Sequence, residues 1–399
     1  MTPSLQRYTP VKAFWRRFRK NPLALAGVLI ICSYVVLSLL GYLVTPDATP
    51  NANRQIVEIA SQPPGFEVSF MKVKKNRPIQ KVGFLRKMVQ GQPEAYNFVP
   101  LNKYILTDST IVVESFSPYP LETPFYVTFA LPDVVYAYKG YSKKGRKRKV
   151  QLIDGEHITT SLTDLQTDVK KQLVRKKFLL GTDRFGRDLL SRLIIGSRIS
   201  LSIGFISVLI SVIIGIMLGA AAGYFGGIVD KLIMWLVNVV WSIPTLLLVI
   251  AVTLVLGKGF WQIFVAVGLT MWVEVARVVR GQVLSIREKE YIEAARALGM
   301  SHGRTIFRHI LPNAINPVII IAAANFSTAI LLEAGLSFLG IGVQPPIPSW
   351  GAMIKQHYGF IIMDQAYLAL LPGFAILSMV LAFTWIGNGL RDALDYKAS

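Results

Sequence analysis

The chain has 399 residues, 52% of them hydrophobic and only 17% charged, with 43 Lys+Arg against 23 Asp+Glu for a formal charge of +20. Soluble domains run nearer a quarter charged, so high charge asymmetry at low charge density excludes a disordered basic tail and a nucleic-acid-coating protein. One cysteine, Cys32, excludes an internal disulfide and a cysteine-based zinc site, and His157, His302, His309 and His357 show no ligand spacing.

The apolar residues are bunched. After a basic segment at 1–20, residues 23–44 carry no charge, roughly 33 Å of helix and enough to cross the hydrocarbon core. That run is about twice a signal-peptide core and no A-x-A-like site follows it. Residues 21–45 therefore read as a first transmembrane helix. Next comes a long polar segment, 46–185, with strand-like composition at 66–73 and 125–138. Residues 150–153, Asp154-Gly155 and 157–160 predict a hairpin on a type I′ turn. Residues 161–177 predict a polar helix capped by Ser161, with Asp164 three residues on. Together these predict an inserted α+β domain. Six of the seven residues at 143–149 are basic, which suits a solvated hairpin flank, with anionic lipid headgroups as the alternative contact.

Further uncharged stretches lie at 199–229, 232–257, 260–273, 314–332 and 366–390. The 260–273 stretch reaches spanning length only by continuing past Glu274. Six spans in one chain argue against burial in a soluble core. Charge then orients them: residues 1–44 hold six basic and no acidic residues, 45–180 hold 21 and 12, and 181–399 hold 16 and 11. The positive-inside rule weighs short loops and discounts long ones, so the first 20 residues are expected in the cytoplasm. Six crossings place both termini inside, together with the 277–313 connection and its Arg277, Arg280, Arg287, Lys289, Arg296, Arg304 and Arg308. The short outer loops offer only Lys258 and Lys355, and residues 46–185 are extracytoplasmic.

Polar groups within the apolar stretches are Asn238, Pro244, Asn325, Thr328 and Thr384. Lipid cannot satisfy such groups, so they face other helices or a water-filled path. Pro244 is expected to kink its helix. Glu333 lies roughly 28 Å along its helix from Ala314, near the outer interface, and reads as a gate or interface residue. Asn238, Pro244, Asn325, Thr328 and Glu333 are thus the pore or gate candidates. Gly215, Gly219 and Gly223 recur every four residues and predict a close-packing helix face. No internal repeat stands out, which counts against an inverted-repeat secondary transporter.

The most specific stretch is EYIEAARALGMSHGRTIFRHILP at 290–312. Residues 293–298 are strong helix formers, Gly299 suits the left-handed residue that closes a helix, and a second short helix is expected at 303–310, stopped by Pro312. The spacing of Glu293-Ala294-Ala295, three residues, Gly299, nine residues, then His309-Ile310-Leu311-Pro312 resembles the EAA loop of permease subunits of binding-protein-dependent ABC importers. Three more segments resemble the dipeptide, oligopeptide and nickel branch of that family. They are LGTDRFGRD at 180–188 with Ser191-Arg192 and Gly196-Ser197-Arg198, EAGLSFLG at 333–340, and VQPPIPSWG at 343–351. RRFRKNPLALAG at 16–27 and LRDALD at 390–395 also fit, with Tyr396 where Pro is expected. The resemblance covers 12–45 and 180–396 and says nothing of 46–179.

The resemblance implies an all-α polytopic membrane protein with six transmembrane helices, of the type I ABC importer permease fold, interrupted by the inserted α+β extracytoplasmic domain. It implies a bacterial inner-membrane location and a five-helix permease core at 186–399 whose EAA coupling loop, 281–313, docks on an ATPase. The coupling residues would be Glu293, Ala294, Ala295, Gly299, His309, Leu311 and Pro312. Implied partners are a second permease subunit, two ABC ATPase subunits, an extracytoplasmic substrate-binding protein and the lipid membrane. No G-x-x-x-x-G-K-[ST] phosphate loop is present, so no cofactor is expected here; ATP and Mg belong to the ATPase subunits and the chain is read as non-catalytic. An ion-coupled secondary transporter and a membrane-anchored interaction module centred on 46–185 are the alternatives.

Overall fold

A computed structural model describes residues 10–80, 82–118, 124–144, 147–257 and 259–394. Lys258, Arg146 of the basic cluster, and Asp395 and Tyr396 lie outside them. In chain order the helices α1 (Pro10–Phe18) and α2 (Pro22–Val44) come first. They are followed by β1 (Phe66–Lys74), α3 (Phe84–Gln90), β2 (Tyr96–Leu106), β3 (Thr110–Ser115), β4 (Tyr126–Ala130), α4 (Leu131–Val135), β5 (Tyr138–Lys144), β6 (Lys147–Leu152), β7 (His157–Ser161), α5 (Leu162–Lys171) and β8 (Leu173–Phe178). The rest is helical: α6 (Leu189–Phe225), α7 (Gly227–Trp241), α8 (Thr245–Leu256), α9 (Phe260–Arg287), α10 (Glu290–Ala297), α11 (His302–Thr305), α12 (Leu311–Leu339), α13 (Trp350–His357) and α14 (Tyr367–Leu394). Clustering of contacts gives two compact units, one drawn from Met1–Ser38, Gly196–Tyr358 and Ala369–Ser399, the other from Leu39–Ile195 and Gly359–Leu368.

Five helical segments among the described residues are long and apolar enough to cross a membrane, and α7 with α8 makes a sixth if that bent pair is one span. The bend is 96° and corrects the expected Pro244 kink to a full break. Proline has no N–H to donate and disfavours helix for the residue before it. The chain instead closes α7 with Ser242 N–H on the Asn238 carbonyl and restarts α8 after Pro244. Two other boundaries differ. Helix α6 starts at Leu189, before the uncharged stretch, and Gly226 at φ 65° ends it short of 229. Helix α9 carries Glu274, Arg277 and Arg280 through to Arg287. The Gly215, Gly219 and Gly223 face packs on α9, where a Cβ at Gly215 would lie 2.5 Å from Val275 Cβ and one at Gly223 2.8 Å from Val283 Cβ.

In the second unit, β4, β3, β2, β1 and β8 form one antiparallel sheet in that order, and β5, β6 and β7 form another. Strand β1 is apolar on both faces. Met71 and Val73 pack with Leu101, Ile111 and Val113 under Leu131 and Val134 of α4 and Leu165 and Val169 of α5. Val68 and Phe70 point the other way, to Phe178, Ile56 and Ile59. Three local expectations are corrected here. The strand-like run at 125–138 stops at Ala130, because Pro132 and Asp133 start a helical turn in which the Asp133 carboxylate accepts the Ala130 N–H at 3.3 Å. The helix expected over 161–177 ends at Lys171, and β8 leaves it to pair with β1. The Asp154-Gly155 turn is not type I′, which needs positive φ at both central residues. Only Gly155, at 94°, has it; Gly155 N–H bonds to the Leu152 carbonyl and Leu152 N–H to that of Glu156. This is the three-residue loop with a glycine bulge. Ser161 caps α5 as expected, accepting the Asp164 N–H at 3.1 Å.

The segment at 180–188 braces the second unit. Asp183 is fully buried, accepts the Phe185 and Arg187 N–H groups on Oδ1, and pairs through Oδ2 with Arg187 Nε at 2.6 Å. Gly186 has φ 69°, and a Cβ there would overlap the Ile56 carbonyl at 1.7 Å. Glycine is therefore required both by conformation and by space.

Candidate functional site

Helix α10 carries the site the sequence singled out. Glu290 and Glu293 sit in its first turn, where the exposed N–H groups favour negative charge. Gly299, at φ 72°, closes it: Met300 N–H bonds to the Ala295 carbonyl at 3.1 Å and Gly299 N–H to that of Arg296 at 2.9 Å. Both bonds of a Schellman motif are made. Ile292 and Ala295 are buried; Ile292 joins a cluster with Tyr224, Val279, Val283 and Ile310. The opposite face is open, with Glu293, Ala294 and Ala297 exposed and Leu298 at 85%. Ala295 thus anchors the helix, and Glu293 and Ala294 are presented.

The second expected helix does not stop at Pro312. Helix α11 runs through a π-helical turn, Ile306–Ile310, directly into α12. Pro312 directly follows that π turn, where Leu311 N–H already reaches back five residues to the Ile306 carbonyl, so the missing proline N–H falls where the regular ladder is interrupted. His309 is half-buried, its carbonyl accepts Asn313 Nδ2 at 2.7 Å, Leu311 is half-buried and Pro312 exposed. Phe307 projects from the π turn 73% exposed.

Sequence reasoning missed what ties this loop to the helices. Tyr224, at the end of α6, places its hydroxyl 3.0 Å from His302 Nδ1 of α11. Arg287, the last residue of α9, donates to the Tyr224 carbonyl at 3.2 Å, and the Arg296 guanidinium of α10 lies 4.9 Å from the Tyr224 ring centre. Four helices thus meet at one tyrosine. Two turns back along α9, Arg280 grips Asp230 of α7 with two bonds of 2.5 and 2.7 Å. The sequence signal was faint: His302 stood out only for lacking metal spacing, and Tyr224 lies unmarked within the uncharged stretch 199–229.

The polar groups expected in a pore divide. Asn325 and Thr328 line a small cavity of about 60 Å³ with Glu274 and the chain on both sides of the Pro244 break. Asn325 is buried with Nδ2 unpartnered, whereas Thr328 is exposed and bonds its own helix at the Ala324 carbonyl. Asn238 and Pro244 are exposed, as is Thr384, which bonds back to Val380. Glu333 lies apart, fully buried, with Oε1 accepting Ser337 Oγ at 2.7 Å and Oε2 unpartnered.

Residues 201–399 match the family described as binding-protein-dependent transport system inner membrane component. Residues 9–64 match the N-terminal TM domain of oligopeptide transport permease C. The chain is 45% identical over 217 residues to the dipeptide transport system permease protein DppC of Alkalihalophilus pseudofirmus, covering 54% of this chain and 71% of that one. The chain belongs to this permease family.

The permease is also 42% identical over 218 residues to the glutathione transport system permease protein GsiD of Pectobacterium atrosepticum, covering 55% of this chain and 72% of that one. It is 39% identical over 222 residues to the oligopeptide transport system permease protein OppC of Bacillus subtilis, covering 56% and 72%. Among solved structures it is similar to a chain of the inward-facing MetNI methionine ABC transporter at 22% identity and TM-score 0.37, covering 49% of this chain and 98% of that one. Residues 65–200 of the permease, with both β-sheets, lie between the two family matches. The coarse expectations hold: it is a helical ABC importer permease subunit with several apolar helices.

Proposed function

We propose that the permease imports di- or oligopeptides as one of two membrane subunits driven by two separate ATPase subunits. An extracytoplasmic binding protein supplies the peptide. Six crossings, counting α7 and α8 as one, put both termini and the 281–313 loop in the bacterial cytoplasm and residues 46–185 outside. ATP and Mg are bound by the ATPase subunits. The observation that carries this reading is α10, a short helix anchored by Ile292 and Ala295, turned by Gly299, and open along Glu293, Ala294, Ala297 and Leu298. A helix held on one face and free on the other transmits a rigid-body motion. The Tyr224 junction supports the route from that helix to α6 and α9. The relatives named for dipeptide, glutathione and oligopeptide transport support the substrate class.

The test is reconstitution with the partner subunits. Gly299→Val forces a β-branched residue into the left-handed region at about 1–2 kcal/mol, and Glu293→Lys reverses the exposed charge. Both variants should insert normally yet lose peptide uptake while ATP hydrolysis by the ATPase subunits persists. Uptake at wild-type rate in both variants would refute the coupling role.

A further inference from the structure

The second unit contains a cavity of about 270 Å³ under the β1–β2–β8 face of its large sheet, walled by the rings of Phe70, Phe98 and Phe178. Three of its five charged lining residues are committed to partners. Arg54 is held by Glu94 at 2.5 Å, with Asp47 at 3.5 Å. Asp47 accepts the Thr49 and Arg54 N–H groups, one on each oxygen, and Lys177 pairs with Glu67 at 3.3 Å.

Two groups of opposite sign remain. Among the described residues Lys176 makes no ion pair; its ammonium lies 4.2 Å from the centre of the Phe98 ring. Asp188 is 5% exposed, spends Oδ2 on Ser191, and has Oδ1 unpartnered. They line the same cavity without pairing with each other. Burial, with Arg54 nearby, lowers the Lys176 pKa to about 8, so the ammonium still prevails at neutral pH. A charged group withdrawn from water without a partner is costly, and here a half-buried ammonium and a buried, unpartnered carboxylate oxygen flank one apolar space.

We infer that this cavity binds a small zwitterion, an α-amino acid whose carboxylate meets Lys176, whose ammonium meets Asp188, and whose side chain packs on Phe70, Phe98 and Phe178. A simple anion would face the Asp47 and Asp188 carboxylates, and a simple cation would face Lys176 and Arg54. The volume lies just below the range that holds drug-sized ligands, which suits a single amino acid. Residues 65–200 lie outside both family matches, so the inference stands independently of the transport reading.

Titration calorimetry on the full chain in nanodiscs tests it with leucine, phenylalanine, N-acetyl-leucine, leucinamide and glycyl-leucine as probes. The free amino acids should bind, and blocking either terminus should weaken binding about tenfold or more, as expected when one charge-assisted bond is lost. Lys176→Met and Asp188→Asn should each do the same without lowering the melting temperature, whereas Lys171→Met on the exposed face of α5 should not. If Asp188→Asn perturbs folding through Ser191, the ligand series on the wild-type chain still decides. Absence of binding by any free amino acid refutes the site. Retained binding of N-acetyl-leucine, which marks a carboxylate site only, refutes it too. Binding of the dipeptide alone refutes the single-residue occupant.

Discussion

Replacing Gly219 by alanine adds one methyl group where α6 meets α9, and the structure sets its consequence. The new Cβ would lie 2.4 Å from the Ala276 carbonyl oxygen and 2.8 Å from Val279 Cβ. Ordinary contact begins near 3.4 Å, so the helices must part by about 1 Å, since backbone and β-branched atoms cannot rotate away. Such overpacking costs about 1–3 kcal/mol, against about 1 kcal/mol gained when alanine replaces glycine in a helix. Separation also loosens the neighbouring contacts at Gly215 and Gly223, because dispersion falls steeply with distance. The two terms leave a loss of up to about 2 kcal/mol, and the loosened neighbouring contacts add to it. Gly281→Ala on α9 is the matched control: a Cβ there meets nothing within 4 Å, so only the helix gain remains and this variant should be slightly stabilised. Thermal unfolding of both variants in detergent, followed by tryptophan fluorescence, reads the two signs. A Gly219→Ala chain that melts at or above wild type would refute the close-packing argument, as would equal losses in both variants.

Lys176 makes stability depend on pH. Its pKa falls from 10.5 to about 8 on folding, so between those values the unfolded chain binds the extra proton and stability rises with pH, by about 2 kcal/mol in all once its solvent-facing side is discounted. Lys176→Met should flatten that rise and stabilise the domain at neutral pH; an unchanged slope in melting runs from pH 7.5 to 10.5 would contradict it. Asp230→Asn should leave Arg280 one charge-assisted bond short and cost about 1–2 kcal/mol. A double-mutant cycle with Arg280→Met measures the coupling, and additive losses would show that the pair contributes nothing. Ser161→Ala removes the cap of α5 and should cost about 1 kcal/mol, Ser161→Gly a few tenths. Equal melting of these two variants would remove the cap from the account.

Much of the candidate site was legible because its signals are local. Helix formers at 293–298 followed by Gly299 specify α10 and its Schellman turn without reference to the rest of the chain. Pro312 misled because a proline that stops a helix reads the same as one that a preceding π turn accommodates. Tyr224 and His302 were illegible, since 78 residues separate them and only the packing of α6 beside the loop brings them together. The α+β unit follows the same division. The Ser161 cap and the Asp154-Gly155 turn were visible locally, while strand β8 exists because β1 stands ready to pair with it. Phe70, Phe98, Lys176 and Asp188 sit on four separate segments and carry no common spacing.

By itself, then, the sequence determined what depends on runs and short spacings. That comprises the uncharged stretches that become long apolar helices, the four-residue glycine seam, the helix caps and the α10 turn. These follow from one-residue transfer energies and from hydrogen bonds within a turn or two. Only the tertiary structure decided the 96° break at Pro244, the unbroken passage from α11 to α12, the meeting of four helices at Tyr224 and the partly unpaired cavity of the sheet. Each of those is a balance between groups far apart in the chain, struck by burial and by which polar atoms find a partner.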